Sequence, residues 1–131
     1  MPVILNRIGE VRTQEPAVPP YWAESAVEGE LIIDEEFVEG LKGIEKGDRI
    51  VVLFHFHKSS PFDPSRDLIQ HPRGDRNREK RGVFDLCSPR RPNPIGMSVV
   101  TVISVERNII RVKGLDIIDG TPILDIKPWR V

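Results

Sequence analysis

The sequence predicts a mainly β protein, a compact antiparallel β-barrel with long loops and little helix. Three observations carry this expectation. Around six short runs are rich in branched residues, one short segment alone shows helical spacing, and turn residues separate nearly all of the runs. Short strands with so little helix point to a barrel. At 131 residues the chain is long enough for one core and too short for two ordinary domains, so residues 1–131 are expected to form a single domain.

In chain order, "VILNRIGEVRT" and "EGELIIDEEF" read as strands, separated by the proline-rich, turn-like "QEPAVPPYWAES". "EEFVEGLKGI" predicts a short helix with Phe37, Leu41 and Ile44 on one face, ended near Gly47. "DRIVVLFHFH" reads as a buried strand whose end puts His55 and His57 on one face and Phe56 on the other. After a long charged loop come the strand "GMSVVTVISV", a turn near Glu106-Arg107-Asn108, and the strand "IIRVKGL". "DIIDGTPILDIKPW" supplies a turn at Asp119-Gly120 and a final strand. The loop 58–91 is longer than a compact domain leaves unstructured, so it is expected to have a function or a helical turn of its own.

Composition excludes several classes. A charged fraction of 30% with 39% hydrophobic residues suits a folded soluble domain better than a disordered one. No apolar run is long enough to span a bilayer, and "MPVILNRIGE" lacks the apolar core of a signal peptide, so no membrane partner is expected. Cys87 is the one cysteine, so no internal disulfide forms and a cytoplasmic location is expected. There is no Gly-rich phosphate loop, no GxGxxG after an opening strand and no HExxH. His55, His57 and His71 read as pocket-lining or hydrogen-bonded residues, and no metal is expected.

With a net charge of −1, a nucleic-acid partner has to be drawn by a local basic patch. Residues 58 to 91 hold one: Lys58, Arg66, Arg73, Arg76, Arg78, Lys80, Arg81, Arg90 and Arg91, offset in part by Asp67, Asp75, Glu79 and Asp85. "HPRGDRNREKRG" has two readings, a solvated loop or a surface that tracks a phosphate backbone. Next to it stands "SPRRPNPIG". Pro89, Pro92 and Pro94 fix φ and remove donors, which forbids a helix and leaves a stiff extended loop. Such a loop holds Arg90, Arg91 and Asn93 in set directions, as a site for anionic groups requires.

"RGVFDLCSPRRPNPIGMSVV" and "GLDIIDGTPILDIKPW" resemble the TsaA-like family, whose best-known members are TrmO-type tRNA methyltransferases. The likeness extends through "IGEVRT", "GIEKGDRIVVLFHFHKS" and "HPRGD", which is nearly the whole chain. It implies a small β-barrel that binds S-adenosylmethionine, works as a homodimer, and methylates N6 of N6-threonylcarbamoyladenosine beside the tRNA anticodon. It also implies cofactor contacts at Pro19, Pro20 and Tyr21, at His57 and Lys58, at Cys87, at Met97, and at Asp116, Ile117, Ile118 and Asp119. Under the same reading Arg73, Arg76, Arg78, Lys80 and Arg81 track the tRNA backbone, while Arg90 and Arg91 hold carboxylate or phosphate groups. Asp119 and Asn93 are the expected polar positioners around the reacting nitrogen, with a cap on its own turn as the alternative for Asp119.

Three departures bear on these implications. Cys87 stands where the family has an arginine, Pro19-Pro20-Tyr21 stands where it often has "PRQ", and the chain is expected to lack the additional C-terminal domain of longer bacterial relatives. They keep two alternatives open, a methyltransferase acting on a small molecule or another RNA, and a non-catalytic module that binds S-adenosylmethionine or RNA.

Overall fold

Eight strands are present in the computed structural model, which describes residues 1–14 and 27–130: β1 (Gly9–Arg12), β2 (Glu28–Ile33), β3 (Arg49–His55), β4 (Ile69–Gln70), β5 (Arg81–Gly82), β6 (Ile95–Glu106), β7 (Ile109–Lys113) and β8 (Pro122–Pro128). The chain divides into two units, one made of Met1–His55 with Met97–Val131 and the other of Phe56–Gly96.

The first unit is the expected barrel. Six strands close in the order β1-β2-β7-β6-β3-β8, and the registered pairs are antiparallel. Alternation decides which side chains enter it. Along β6, Gly96, Ser98, Val100 and Val102 are buried while Ile95, Met97 and Thr101 are exposed, with Val99 covered as well on the outer face. Val11, Leu31, Ile33, Val52, Ile110, Val112 and Ile123 complete an interior of branched side chains. Register shifts at Leu53/Phe54 against β8 and at Val102/Ser104 against β7 supply the local bends that a closed sheet needs. Gly9 faces Ile33 across the β1–β2 ladder, and a Cβ there collides with the Ile32 carbonyl oxygen, so only glycine permits this approach. The two-residue loop between β6 and β7 turns on Arg107 at φ 56°. Asn108 secures it: its Nδ2 donates to the Ile33 carbonyl (2.9 Å), and its own carbonyl accepts from the Ile33 N–H (2.8 Å).

Three local expectations change. The first strand is shorter than the run "VILNRIGEVRT", because it begins at Gly9 and Met1–Arg7 are exposed. The expected helix is a 3₁₀ segment, Glu35–Leu41. With three residues per turn, Phe37 and Leu41 fall on different faces, so Leu41 is buried while Phe37 is 39% exposed. The strand expected to run through His57 ends at His55. The Phe56 N–H donates to the Pro94 carbonyl (2.8 Å), and Phe56 O accepts from Ser59 N–H (3.1 Å), which turns the chain away.

The unit Phe56–Gly96 contains the long charged loop, and the loop has structure of its own. A single helical turn, α1 (Pro64–Asp67), starts at Asp63, whose Oδ1 accepts from Ser65 N–H (2.9 Å) and Ser65 Oγ (2.7 Å), with Pro64 in the first position. β4 and β5 form a two-stranded ladder, and short 3₁₀ turns occupy Pro72–Gly74 and Val83–Asp85. Among the described residues no helix is long and apolar enough to cross a membrane.

Candidate functional site

The sequence-predicted site residues divide between the two units. The barrel unit carries Met97, Asp116, Ile117, Ile118 and Asp119. Phe56–Gly96 carries His57, Lys58, Cys87, Asn93 and all of the expected RNA-binding cations. Pro19, Pro20 and Tyr21 lie outside the described residues.

In the barrel unit, the segment between β7 and β8 is a stitched turn. Thr121 Oγ1 and N–H both donate to the Ile118 carbonyl (2.6 and 3.2 Å), and Gly120, at φ 83°, donates to the Val11 carbonyl (2.8 Å). Among the described residues the Asp119 side chain makes no hydrogen bond within this turn. Its Oδ1 accepts from Thr13 N–H (2.9 Å), tying the turn to the end of β1, and its Oδ2 has no hydrogen bond among the described residues. Ile117 is buried, so its side chain belongs to the core, whereas Ile118 and Met97 leave 42% and 54% of their surface open.

Asp116 is the chemically unusual member. Burial pushes its carboxyl above the ordinary value, opposed in part by the nearby Ser98 hydroxyl and by its own N–H. Ser98 approaches without reaching hydrogen-bond geometry, so Ser98 Oγ and Asp116 Oδ1 are both inaccessible and both lack a partner among the described residues. Such oxygens are rare because each costs desolvation without return. A donor-bearing ligand would satisfy them.

In Phe56–Gly96 the proline loop is held from beneath. Arg91 Nη1 donates to the carbonyls of Leu86 (2.9 Å) and Ser88 (3.1 Å), so this guanidinium braces its own loop. Ser59 Oγ donates to the Pro89 carbonyl (3.1 Å), and the Ile95 N–H closes on the Asn93 carbonyl (2.7 Å). Gln70, buried, donates through Nε2 to the carbonyls of Asp67 (2.6 Å) and Arg90 (2.8 Å). Asp67 is 1% exposed, covered by its own loop and not sunk in a core. It accepts both Nε and Nη2 of Arg66 (2.9 Å each) and the Asp63 N–H (3.0 Å). Those hydrogen bonds, with Arg90 adding to them, hold its carboxyl down to about 2. Asn93, Cys87, His57 and Lys58 are exposed.

The basic run is organised by Asp75, whose Oδ1 accepts from Asn77 N–H (2.9 Å), and by His71, whose Nδ1 lies 2.9 Å from the Arg78 carbonyl. Arg73 stands at φ 55° ahead of Gly74. Arg81 pairs with Asp85 (3.0 Å), while Arg76, Arg78 and Lys80 have no ion pair among the described residues. No cluster of three metal-ligating side chains occurs among the described residues, those around His55, His57 and His71 included.

Sequence reasoning missed Ser98, Asp67 and Gln70. Ser98 sits in an apolar run, and nothing in the run marks its hydroxyl as buried. Asp67 had a usable signal, since Asp63-Pro64-Ser65 is an N-cap followed by proline, which predicts the helical turn that carries it.

Residues 12–131 match the model of the tRNA-methyltransferase O N-terminal domain. A probable S-adenosyl-L-methionine-binding protein of Pyrococcus abyssi is 42% identical over 88% of this chain and 61% of its own length. A mouse tRNA (adenine(37)-N6)-methyltransferase is 42% identical over 68% of this chain and 20% of its own. The crystal structure of TrmO from Pseudomonas aeruginosa superposes with a TM-score of 0.72 at 30% identity, covering 99% of this chain and 57% of that one. The chain therefore spans less than two thirds of each of these three proteins. Five of the six barrel strands, the proline loop and the stitched turn between β7 and β8 lie within the matched residues, which begin at the end of β1, and the chain belongs to the tRNA-methyltransferase O N-terminal domain family.

Proposed function

We propose that this chain is an S-adenosylmethionine-dependent methyltransferase domain acting on N6 of an adenosine in tRNA, with N6-threonylcarbamoyladenosine beside the anticodon as substrate. The observation that carries the reading is the family match over residues 12–131, joined to relatives named for S-adenosylmethionine binding and for tRNA (adenine(37)-N6) methyl transfer. In this reading residues 1–131 act as one domain.

The residues fit the cofactor. S-adenosylmethionine presents an ammonium donor, a cationic sulfonium and a flat adenine. Asp116 and Ser98 offer unpaired buried oxygens, and Met97 and Ile118 offer exposed apolar surface. When bound, the cofactor supplies an electrophilic methyl group. Asp116 holds a donor-bearing cationic end, which its carboxylate favours electrostatically. The open Oδ2 of Asp119 accepts the N–H of the reacting nitrogen, and the bond from Thr13 keeps that carboxylate from rotating. Asn93, in a loop stiffened by prolines on both sides, orients the substrate carbonyl with little entropy loss. Alignment of this kind contributes roughly 7–11 kcal/mol, and a proton acceptor adds about 10²–10⁴-fold.

His57, Lys58, Cys87, Pro19, Pro20 and Tyr21 complete the cofactor contacts in this reading, and Arg73, Arg76, Arg78, Lys80 and Arg81 follow the RNA backbone. The active form is a homodimer in a reducing, cytoplasmic compartment. Sedimentation tests the dimer, and a monomer that methylates normally removes it.

The deciding experiment titrates S-adenosylmethionine and then analyses tRNA nucleosides by mass spectrometry after incubation. Cofactor binding together with a methylated N6-threonylcarbamoyladenosine supports the reading. Binding without product leaves a binding module, and no binding ends the proposal.

A further inference from the structure

The proline loop holds two adjacent arginines, and they are not equivalent. Arg91 spends its guanidinium on the carbonyls of Leu86 and Ser88. Arg90 has one charged neighbour, Asp67, with Nη1 3.9 Å from Oδ1, which is outside hydrogen-bond range. Its guanidinium makes no hydrogen bond among the described residues, and its side chain is 47% exposed. Its backbone, by contrast, is fixed at both ends: the Arg90 N–H donates to Ser88 Oγ (3.3 Å), and its carbonyl accepts from Gln70 Nε2 (2.8 Å). Asp67 already accepts both nitrogens of Arg66 and the Asp63 N–H. Arg66 takes the hydrogen bonds of Asp67 and also has Asp63 beside it, while the open donors belong to Arg90.

We infer that Arg90 is the anion-reading side chain of this loop, taking a planar pair of anionic oxygens, and that buried Asp67 and Gln70 are its positioning residues. Gln70 fixes the backbone from which the side chain departs. Asp67 keeps the guanidinium turned toward it from one side, with the other donors facing outward. A guanidinium fork matches a phosphate or carboxylate bidentately, and prior orientation reduces the entropy lost on binding. Asp67 stays ionised down to about pH 2, so the arrangement holds throughout the working range.

This inference rests on the RNA-substrate reading above, and two RNAs distinguish the sources of the anion. One is an anticodon stem-loop carrying N6-threonylcarbamoyladenosine, whose threonyl carboxylate offers the oxygen pair. The other is the same stem-loop unmodified, which offers phosphates alone. Dissociation constants over a salt series are measured for the wild type, Arg90→Ala, Arg90→Lys, Asp67→Asn and the double variant Asp67→Asn/Arg90→Ala. S-adenosylmethionine affinity and thermal stability are measured on the same samples.

Arg90→Ala is expected to weaken binding about tenfold, the scale of hydrogen bonds to a charged group. Arg90→Lys, which keeps the charge and loses the fork, recovers only part of it. A loss on both RNAs with a salt slope reduced by about one assigns the anion to phosphate. A loss confined to the modified RNA assigns it to the carboxylate. Asp67→Asn weakens binding a few-fold alone and adds nothing to Arg90→Ala, since a positioning residue acts only through the group it positions. RNA binding indifferent to Arg90, or an Asp67→Asn loss that persists in the double variant, overturns the inference while leaving the methyltransferase reading intact. A wild type that binds neither RNA refutes both.

Discussion

Replacing Asp116 with Asn tests how the barrel carries an ionisable group in a place that disfavours its charged form. In the wild type Oδ1 is inaccessible and unpartnered beside an equally unpartnered Ser98 Oγ, and burial disfavours the charged form of the carboxyl. Asparagine has the same shape and no charge, and its Nδ2 can donate to Ser98, satisfying two groups at once. An unsatisfied buried polar group costs about 1–3 kcal/mol, and since Asp116 is only half-buried the lower end applies, about 1 kcal/mol. With unfolding entropy of roughly 2.1 cal/mol/K per residue over 131 residues, Asp116→Asn raises Tm by about 4 °C. The sign of the pH dependence follows from the raised native pKa. The folded state holds this proton more tightly than the unfolded one, so the wild type has its full stability below the ordinary value of 3.8 and loses some as pH rises through the native value. The gap between variant and wild type should therefore be widest at pH 7.5 and narrow toward pH 4.5. Thermal melts across that range measure it, and S-adenosylmethionine affinity of the variant should fall at every pH. An Asp116→Asn protein that is less stable at pH 7.5, or a gap that does not change with pH, refutes the claim that the carboxylate is held at a cost.

Gly9→Ala forces a Cβ into the Ile32 carbonyl oxygen, which is backbone and cannot rotate away; a loss of about 1–3 kcal/mol, or about 4–11 °C in Tm, is expected by circular dichroism. Neutralising Arg76, Arg78 and Lys80 together, all three without an ion pair among the described residues, should flatten the salt dependence of tRNA binding by about one unit per lost phosphate contact and leave cofactor affinity unchanged. An unchanged slope would leave them as a solvated surface. Asp67 has the opposite sign to Asp116, because its native carboxyl is lowered to about 2 from 3.8. Its contribution to stability is complete above the unfolded value and is lost as pH falls from about 4 to about 2, so Asp67→Asn should flatten the acid limb of the stability curve over that interval.

The barrel was legible because its cause is periodic. In β6 Gly96, Ser98, Val100 and Val102 enter the core at every second position, with Val99 alone buried out of phase, and "MSVVTVISV" announces that alternation. The turns at Arg107-Asn108 and Asp119-Gly120 were legible for a similar reason, since they need residues that tolerate a reversed or constrained backbone. What could not be read depends on contacts distant in sequence. No local pattern says that Asp119 will bond Thr13, 106 residues away, or that Gln70 will support Arg90 across 20 residues. Arg90 and Arg91 look alike in sequence, and only the carbonyls of Leu86 and Ser88 separate their roles. Asp67 lies in a stretch whose charges all suggest solvent, yet it is the covered one. Phe37 was misjudged because helical spacing does not distinguish 3.6 residues per turn from three over so short a segment.

The strand order has a consequence for how the protein is made. β8 sits between β1 and β3, so the earliest strand finds one of its two neighbours only in the last. During synthesis the ring stays open until residues near Pro128 have left the ribosome, and until then β1 and β3 each present a bare edge. Chains stalled or cut before Pro122 would carry both edges permanently, the condition under which strands recruit one another between molecules. Closure through such distant partners also makes folding slow for a domain of this size. The nascent barrel is thus most vulnerable just before β8 emerges.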